Sequence, residues 1–398
     1  MPPTRAIIEA PNPKIFRQNG EALAHHDLSF RARSAIEPGI QKELQAIDLN
    51  EATGPEKLLH DLNKYGFAIL ETDATAKHTI SKTFNALESF LTTNSLSVKR
   101  QFGESNTEID ADYREPKKPI EGSRPFEHIS GQRPFFFDSK YETRWPSSSA
   151  ELKKLSIELI GLLEGVSQKV LKHISKLFGV QSDFFKDIAH ESNQSTLRMI
   201  HCISDNEFAS NQQAYVDANS KDDKRKGRPE NDCVKIHTDW GLITLLPTAT
   251  AEGLEFWFDD KENSDGRNSG WVELKSKPGQ LILMPGNVSD IISRGKLRSI
   301  PHRVIRKGDQ DRYSLAYFTE VKRGVNIDKL KDELQVPGVE PNAVSFYEQN
   351  VRPHLVDGHP ITSDNYLMYL LEGKNWSPSD ELIAAAAKLG LKLSRKEK

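Results

Sequence analysis

Two histidines and one aspartate are the residues of this chain best suited to hold a metal ion. His237 and Asp239 lie two residues apart in VKIHTDW, and His302 follows in PHRV, 65 residues after His237. Residues i and i+2 of a strand project from the same face, so a strand here would direct the first two side chains to one place. Two imidazoles and one carboxylate form a facial donor set that binds Fe(II) and leaves coordination positions open. The three residues therefore predict an iron site.

An H-x-D pair alone is weak evidence for a metal, since 12 histidines and 57 acidic residues produce such pairs by chance. A second pair of residues strengthens the prediction of a functional site. Arg312 and Ser314 in RYS follow shortly after His302, and on a strand they would share one face. A guanidinium and a hydroxyl can together bind a carboxylate. The sequence therefore predicts an anion site close to the metal site.

Short β-like runs in the second half of the chain predict the scaffold that positions these side chains. The runs are TLRMIHCI, CVKIHTD, LITLLP, LEFWF, WVELK, QLILMP, HRVIRK and RYSLAYFTE. Many short strands at near-regular spacing favour a sandwich or barrel, here a jelly roll. Two charged, turn-rich stretches, 219–232 and 259–270, are predicted to be hairpin loops. The fold class predicted is α+β, a double-stranded β-helix (jelly roll) core with flanking N-terminal and C-terminal helices.

The first half of the chain predicts mainly helices. We expect a strand at 44–50, a helix at 55–70 that passes through Gly66 into a strand, a helix at 76–91, irregular structure at 100–148 and an amphipathic helix at 149–178. Ser377 and Pro378 begin a predicted final helix. The domain division predicted is an N-terminal extension (1–45), a mixed helical region (46–194), the jelly-roll core (195–322) and a C-terminal helical region (323–398).

The order of the motifs resembles that of a known family. HTDWGLITLLP, WVEL with PGQLILMPGN, PHRV and RYSLAYF follow one another as in the isopenicillin N synthase-like branch of the Fe(II)/2-oxoglutarate-dependent dioxygenases. The resemblance covers about 195–322 and extends more faintly to AIDLN and KYGFAIL. It implies that His237, Asp239 and His302 are the iron ligands and the catalytic residues.

The same resemblance implies the co-substrates and the reaction class. Arg312 and Ser314 would hold the distal carboxylate of 2-oxoglutarate, and dioxygen would be the third component. The reaction would hydroxylate, desaturate or cyclise a small organic molecule, such as a specialised metabolite or amino-acid derivative, with release of succinate and carbon dioxide. Catalysis in such a site depends on orienting the reactants and excluding water.

One position departs from the family pattern and keeps alternatives open. The family often has a tyrosine that also contacts 2-oxoglutarate, and the segment RMIHCI has Cys202 at that position. Arg198, on the same strand, could replace the missing contact to 2-oxoglutarate or could be an ordinary surface arginine. His201 is interpreted as a core histidine. The alternatives are an iron oxidase that does not use 2-oxoglutarate, an ethylene-forming type of enzyme, and a jelly-roll protein that binds a metabolite without turnover.

Composition limits the partners and the compartment. A net charge of −3 and short basic runs do not favour nucleic-acid binding. Two cysteines, Cys202 and Cys233, are too few for a disulfide framework and favour a reducing compartment. No apolar run approaches the roughly 18 residues of a membrane helix. We therefore expect a cytoplasmic protein with a small-molecule substrate and no nucleic-acid or membrane partner.

Overall fold

Two antiparallel β-sheets form the centre of the molecule. The computed structural model describes residues 44–345 and 348, except 104–110, 116–125, 191, 205–231, 259–269, 306 and 308–309. The described strands are, in chain order, β1 (Ala68–Leu70), β2 (Ala111–Arg114), β3 (Phe126–Gln132), β4 (Thr196–Cys202), β5 (Asp232–His237), β6 (Ile243–Pro247), β7 (Leu254–Phe258), β8 (Gly270–Glu273), β9 (Leu281–Pro285), β10 (His302–Ile305) and β11 (Arg312–Thr319). Seven strands pair in the order β1-β9-β6-β11-β4-β3-β2, and four pair in the order β5-β10-β7-β8.

Helices flank these sheets, and the longest of them contacts the larger sheet. The described α-helices are α1 (Gly54–Lys64), α2 (Ala74–Thr93), α3 (Leu96–Lys99), α4 (Arg133–Phe137), α5 (Ala150–Leu177), α6 (Phe184–Ala189), α7 (Asn287–Ile292) and α8 (Ile327–Glu333). Short 3₁₀ turns lie at Arg100–Phe102, Ser139–Arg144 and Ser147–Ser149. The side chain of Asp73 caps α2 by accepting a 2.8 Å hydrogen bond from the Ala76 backbone. None of the helices in these described ranges is long and apolar enough to cross a bilayer.

Strand alternation gives the larger sheet two faces with different surroundings. On β4 and β11, Leu197, Met199, Leu315 and Tyr317 are buried in the core that the sheet forms with α2 and α5. The opposite face looks toward the smaller sheet, and the apolar core between the sheets includes Cys202 and Met284 from one sheet and Cys233 and Phe256 from the other. We call these the outer and inner faces.

The jelly roll and its flanking helices confirm the predicted fold class. All eight predicted strand runs after residue 195 contain a strand, and the helices predicted at 76–91 and 149–178 are present as α2 and α5. The prediction of irregular structure over 100–148 was wrong in part, because β2 and β3 lie there and extend the larger sheet. LQAIDLN forms only an isolated parallel bridge, from Ile47 to Leu70.

Several predicted segments fall outside the described residues. These are the N-terminal extension up to residue 43, most of the two charged loops, and the final helix that begins near Ser377. The division of the chain into four regions stays a prediction.

Candidate metal and co-substrate site

The three predicted metal ligands converge at one end of the smaller sheet. His237 ends β5, His302 begins β10, and the two residues are register partners across the ladder. Their Nε2 atoms lie 3.6 Å and 3.7 Å from Oδ1 of Asp239. One ligand atom from each of the three residues lies within 4.8 Å of the others. His302 and Asp239 are buried, whereas the His237 side chain is 40% exposed, so the group opens to solvent on one side.

Asp239 reaches this position in a different way from the one predicted. The strand ends at His237, so strand alternation does not direct the carboxylate. Instead, the Asp239 carbonyl accepts hydrogen bonds from the Asn287 backbone at 2.8 Å and the Ser299 hydroxyl at 3.3 Å. A Cβ on Gly286 would lie 2.2 Å from the carbonyl oxygen of Gly241, so only glycine permits this crossing of the two chain segments. The loop after β5 is therefore held by the start of α7.

The surroundings of His302 favour one orientation of its ring. Its Nδ1 lies 3.2 Å from the carbonyl oxygen of Ile300, to which it can donate a hydrogen bond. That tautomer leaves the Nε2 lone pair directed at Asp239 and His237, as a metal ligand requires. Phe256, the register partner of His302 on β7, packs near the ring with centroids 5.8 Å apart. An apolar wall therefore supports this ligand from behind.

Arg312 and Ser314 lie on the inner face of β11, as the sequence predicted. Arg312 is buried and pairs in register with Cys202, and its Nε donates a 3.1 Å hydrogen bond to the carbonyl of Ala251. Burial lowers the pKa of the Arg312 guanidinium, and the nearby thiols of Cys202 and Cys233 act in the opposite direction. Cys233 lies four residues before His237 on β5, the strand that leads to the candidate metal ligands.

Several buried polar atoms at this site have no hydrogen-bond partner among the described residues. They are Oδ2 of Asp239, Nη1 of Arg312, Oγ1 of Thr244 and both side-chain polar atoms of Asn287. Buried polar groups are normally satisfied, and leaving one unpaired costs about 1–3 kcal/mol. A carboxylate oxygen and a guanidinium nitrogen left in this way fit a bound cation and a bound anion.

A carboxyl group next to the metal donors has an unusual acidity. Burial, and then the negative charge of Asp239, raise the pKa of Glu320 well above its ordinary value, although a hydrogen bond from Trp240 opposes the shift. The shift favours the neutral form of the Glu320 carboxyl relative to that of an exposed glutamate.

His201 lies on the outer face and does not reach the site. It stacks on Tyr313, with ring centroids 4.4 Å apart, and its Nδ1 lies 2.9 Å from Oε1 of Glu127. Its Nε2 lies 3.6 Å from Oδ2 of Asp311, and Lys99 Nζ lies 3.0 Å from Glu127 Oε2. Burial would lower the pKa of His201, but the hydrogen bonds and charges of Asp311 and Glu127 raise it to about 9. The interpretation of His201 as a satisfied core histidine is consistent with these contacts.

Sequence reasoning missed the polar residues that β2, β3, β6 and α7 bring to the inner face. Thr244 pairs with Phe318 across the β6–β11 ladder, and Asn287 begins α7. Asp112 and His128 come from the region that was expected to be irregular. An alternation of polar residues in FEHISGQ was the available signal, but that pattern is equally typical of an exposed loop.

A family model supplies the decisive comparison. Residues 210–321, which contain all five predicted site residues, match the model of the 2OG-Fe(II) oxygenase superfamily. This segment of the chain is similar to that superfamily. The result confirms the family expected from the motifs, and the two groups in the superfamily's name, Fe(II) and 2-oxoglutarate, suit the donor set and the buried guanidinium described above.

Individual relatives and solved structures agree with this assignment. A homoarginine-6-hydroxylase of Arabidopsis thaliana is 30% identical over 222 residues, which cover 54% of this chain and 58% of the relative. A 2OG-Fe(II) oxygenase family protein of Caulobacter crescentus has a TM-score of 0.60 at 20% identity, covering 83% of this chain and 98% of that chain. The dioxygenase for auxin oxidation 1 of Arabidopsis thaliana, a 2-oxoglutarate complex, has a TM-score of 0.53 at 18% identity, covering 71% and 94%.

The matches cover only part of the relatives' length, and the solved structures are similar at low sequence identity. The chain spans between 28% and 58% of the length of the curated relatives named here and others that it matches. At identities below 25%, the solved structures support the fold of the chain and not its substrate.

Proposed function

We propose that this chain is an Fe(II)- and 2-oxoglutarate-dependent dioxygenase that oxidises a small organic molecule and releases succinate and carbon dioxide. His237, Asp239 and His302 would hold the iron, and Arg312 with Ser314 would hold the distal carboxylate of 2-oxoglutarate. One observation carries the proposal. Three metal-ligand atoms lie within 4.8 Å of one another at one end of the smaller sheet, and a buried arginine with an unpartnered Nη1 among the described residues lies on the inner face of the larger sheet opposite.

The protein's own residues would do three things in this reaction. Bound iron with 2-oxoglutarate supplies the activation of dioxygen, which is chemistry that side chains cannot perform. Asp239 and the two imidazoles would hold the metal, and the partly exposed side chain of His237 leaves the site open to solvent on one side. Arg312 neutralises the carboxylate inside the roll, where an unpaired charge would be costly. The apolar wall at Phe256 excludes water from behind His302.

A specific observation supports a second candidate. Cys202, and not a tyrosine, faces Arg312 across the β4–β11 ladder, so the anion site has one fewer strong hydrogen-bond donor than the family pattern. An iron oxidase that binds the carboxylate of its own substrate at Arg312 would use the same residues. The hydroxylation, desaturation and cyclisation outcomes share this site, and a cytoplasmic location is likewise part of the proposal.

Anaerobic binding of Fe(II) and 2-oxoglutarate tests the proposal directly. We expect the weak visible charge-transfer band of the iron–2-oxoglutarate chelate in the wild type and at least a tenfold weaker 2-oxoglutarate affinity in Arg312→Ala, since a charge-assisted pair is lost. Arg323→Ala is the matched control, because Arg323 is exposed and lies outside the site. Iron binding without a band in the wild type would contradict the 2-oxoglutarate proposal and favour the oxidase. A wild type that binds 2-oxoglutarate but never turns it over with any substrate would favour a binding protein.

A further inference from the structure

A second polar cluster lies on the inner face of the larger sheet. We call it the inner-face cluster, and it consists of Asp112, Arg114, His128, Ser130 and Arg198. Register brings Asp112, Ser130 and Arg198 side by side on β2, β3 and β4, and Arg114 pairs with His128 in the adjacent row. None of these five residues belongs to the proposed iron or 2-oxoglutarate machinery.

The contacts within the inner-face cluster leave an excess of positive charge. Asp112 faces two groups, with Oδ1 3.4 Å from Nε2 of His128 and Oδ2 3.7 Å from Nη2 of Arg114. Arg198 donates a long, 3.5 Å hydrogen bond from Nε to the hydroxyl of Ser130. Burial, helped by the charge of Arg198, lowers the pKa of His128, which keeps its ring neutral. Among these five residues, two guanidinium groups and one carboxylate leave one net positive charge.

Next to the inner-face cluster, the inner face of the larger sheet is partly exposed. Along β4 and β11 the outer-face residues are buried, but Arg198, Ile200, Ser314 and Phe318 on the inner face are only half-buried. The guanidinium of Arg198 lies over the ring of Phe318, with Cζ 5.5 Å from the ring centroid. His128 is 4% exposed, and its Nδ1 has no hydrogen-bond partner within the described part of the chain. Polar side chains of the cluster therefore lie beside half-buried residues that a small molecule can contact.

The inner-face cluster lies beside the proposed catalytic site. Ser314 and Ala316 are the register partners of Ile200 and Arg198, so Arg198 is one row, or roughly 7 Å, from the row of Ser314. The backbone N–H of Leu242 donates to the carbonyl of Thr319, which fixes the segment after Asp239 at the same end of β11 as Phe318. A molecule that approaches the metal donors along this face would contact Arg198.

We propose that the inner-face cluster binds a carboxylate group of the primary substrate, so that the enzyme acts on small organic acids. The inference rests on the proposed function and assigns its substrate class. Arg198 supplies a forked donor that matches a carboxylate, and Phe318 supplies an apolar surface for the carbon skeleton next to it. Asp112 positions Arg114 and His128, and its single negative charge does not cancel the two positive charges of Arg114 and Arg198. Cationic molecules are disfavoured by the same excess of charge.

Binding of matched acid and amide probes tests this assignment. The probes are phenylacetate and phenylacetamide, indole-3-acetate and indole-3-acetamide, and hexanoate and hexanamide, measured by saturation-transfer NMR. Zn(II), which has no redox chemistry, replaces iron, and saturating 2-oxoglutarate blocks Arg312. We expect at least one acid to bind about tenfold more tightly than its amide, because a charge-assisted hydrogen bond is worth this much or more.

Substitutions locate the binding. Arg198→Ala should remove the preference for the acid, Arg198→Lys should keep part of it because the charge remains without the fork, and Arg323→Ala should leave it unchanged. Acids that bind no better than their amides, or a preference that survives in Arg198→Ala, would overturn the assignment.

Binding of 2-oxoglutarate in the same Zn(II) samples separates the two proposals. Failure of 2-oxoglutarate to bind, together with an acid preference that depends on Arg198, would overturn the proposed function and leave the acid site standing. Tight 2-oxoglutarate binding with no acid preference would overturn only the acid site.

Discussion

The two faces of the seven-stranded sheet hold buried charge in different ways. On the outer face, Glu127 lies 3.0 Å from Lys99 and 2.9 Å from His201, and His201 in turn lies 3.6 Å from Asp311. Positive and negative groups therefore alternate along this network. Tyr113 also donates a hydrogen bond to Glu127. On the inner face, Arg312 keeps one guanidinium nitrogen without a partner among the described residues, and Asp239, on the loop after β5 of the facing sheet, keeps one carboxylate oxygen in the same state.

This difference separates structural from functional polar groups. A buried network in which opposite charges lie next to one another recovers much of its desolvation cost within the protein and stiffens it. A partly paired one carries a penalty that only a bound ligand can offset. Substitutions on the outer face should therefore act mainly on stability, and those at the site mainly on ligand binding and turnover.

The largest effect expected is that of Asp239→Ala on activity. Removing the only carboxylate of the donor set should abolish iron-dependent consumption of 2-oxoglutarate, a loss of at least about a thousandfold, or about 4 kcal/mol. The free energy of unfolding of the metal-free protein should not fall, because an unpartnered buried oxygen is removed. Oxygen consumption and urea unfolding measure the two quantities, with exposed Asp187→Ala as control. Full turnover in the variant would rule out the proposed ligand set.

Glu127→Gln should produce the opposite pattern. It leaves the buried cations of Lys99 and His201 without their shared counter-charge, which should lower the free energy of unfolding by about 3 kcal/mol. Breaking a buried ion pair by removing one partner usually costs about 3–5 kcal/mol, and we take the lower end because glutamine keeps a hydrogen-bond acceptor. The affinity of the folded protein for 2-oxoglutarate should change less than threefold. Exposed Glu88→Gln is the matched control, and a variant as stable as the wild type would contradict the structural role of the outer-face network.

The smallest effect is a slope in the pH dependence of stability. The pKa of His201 is about 9 in the folded protein and near 6.5 when unfolded, so the folded state binds more protons between these values. The stabilisation is complete below about pH 6.5 and is lost as the pH rises toward 9, at up to about 1.4 kcal/mol per pH unit. His201→Phe, which retains a ring to stack on Tyr313, should remove this contribution. His78→Phe, at an exposed position, should retain it, and equal slopes in both variants would exclude His201 as the source.

The comparison of faces also explains what could be predicted from the sequence. Strands β4 to β11 were predictable because most have apolar residues that pack between or against the sheets. β3 was not, since Glu127, His128, Ser130 and Gln132 are buried polar residues whose burial depends on partners from distant parts of the chain. The grouping of His237, Asp239 and His302, and the place of Arg312 on β11, could be predicted from residue type and order. The position of Asp239 was not, because it depends on Asn287, Ser299 and the contact between Gly241 and Gly286.

The pairing of β1 with β9 has a consequence for synthesis on the ribosome. Ala68 and Leu283 are register partners, and Thr72 donates to the carbonyl of Gly279, so the edge of the larger sheet joins segments made more than 200 residues apart. At about 5–20 residues per second, the apolar strand Ala68–Leu70 waits roughly 10–40 s for its neighbour to emerge. The nascent chain must therefore shield this edge with its own helices or a chaperone until Leu281–Pro285 has been translated.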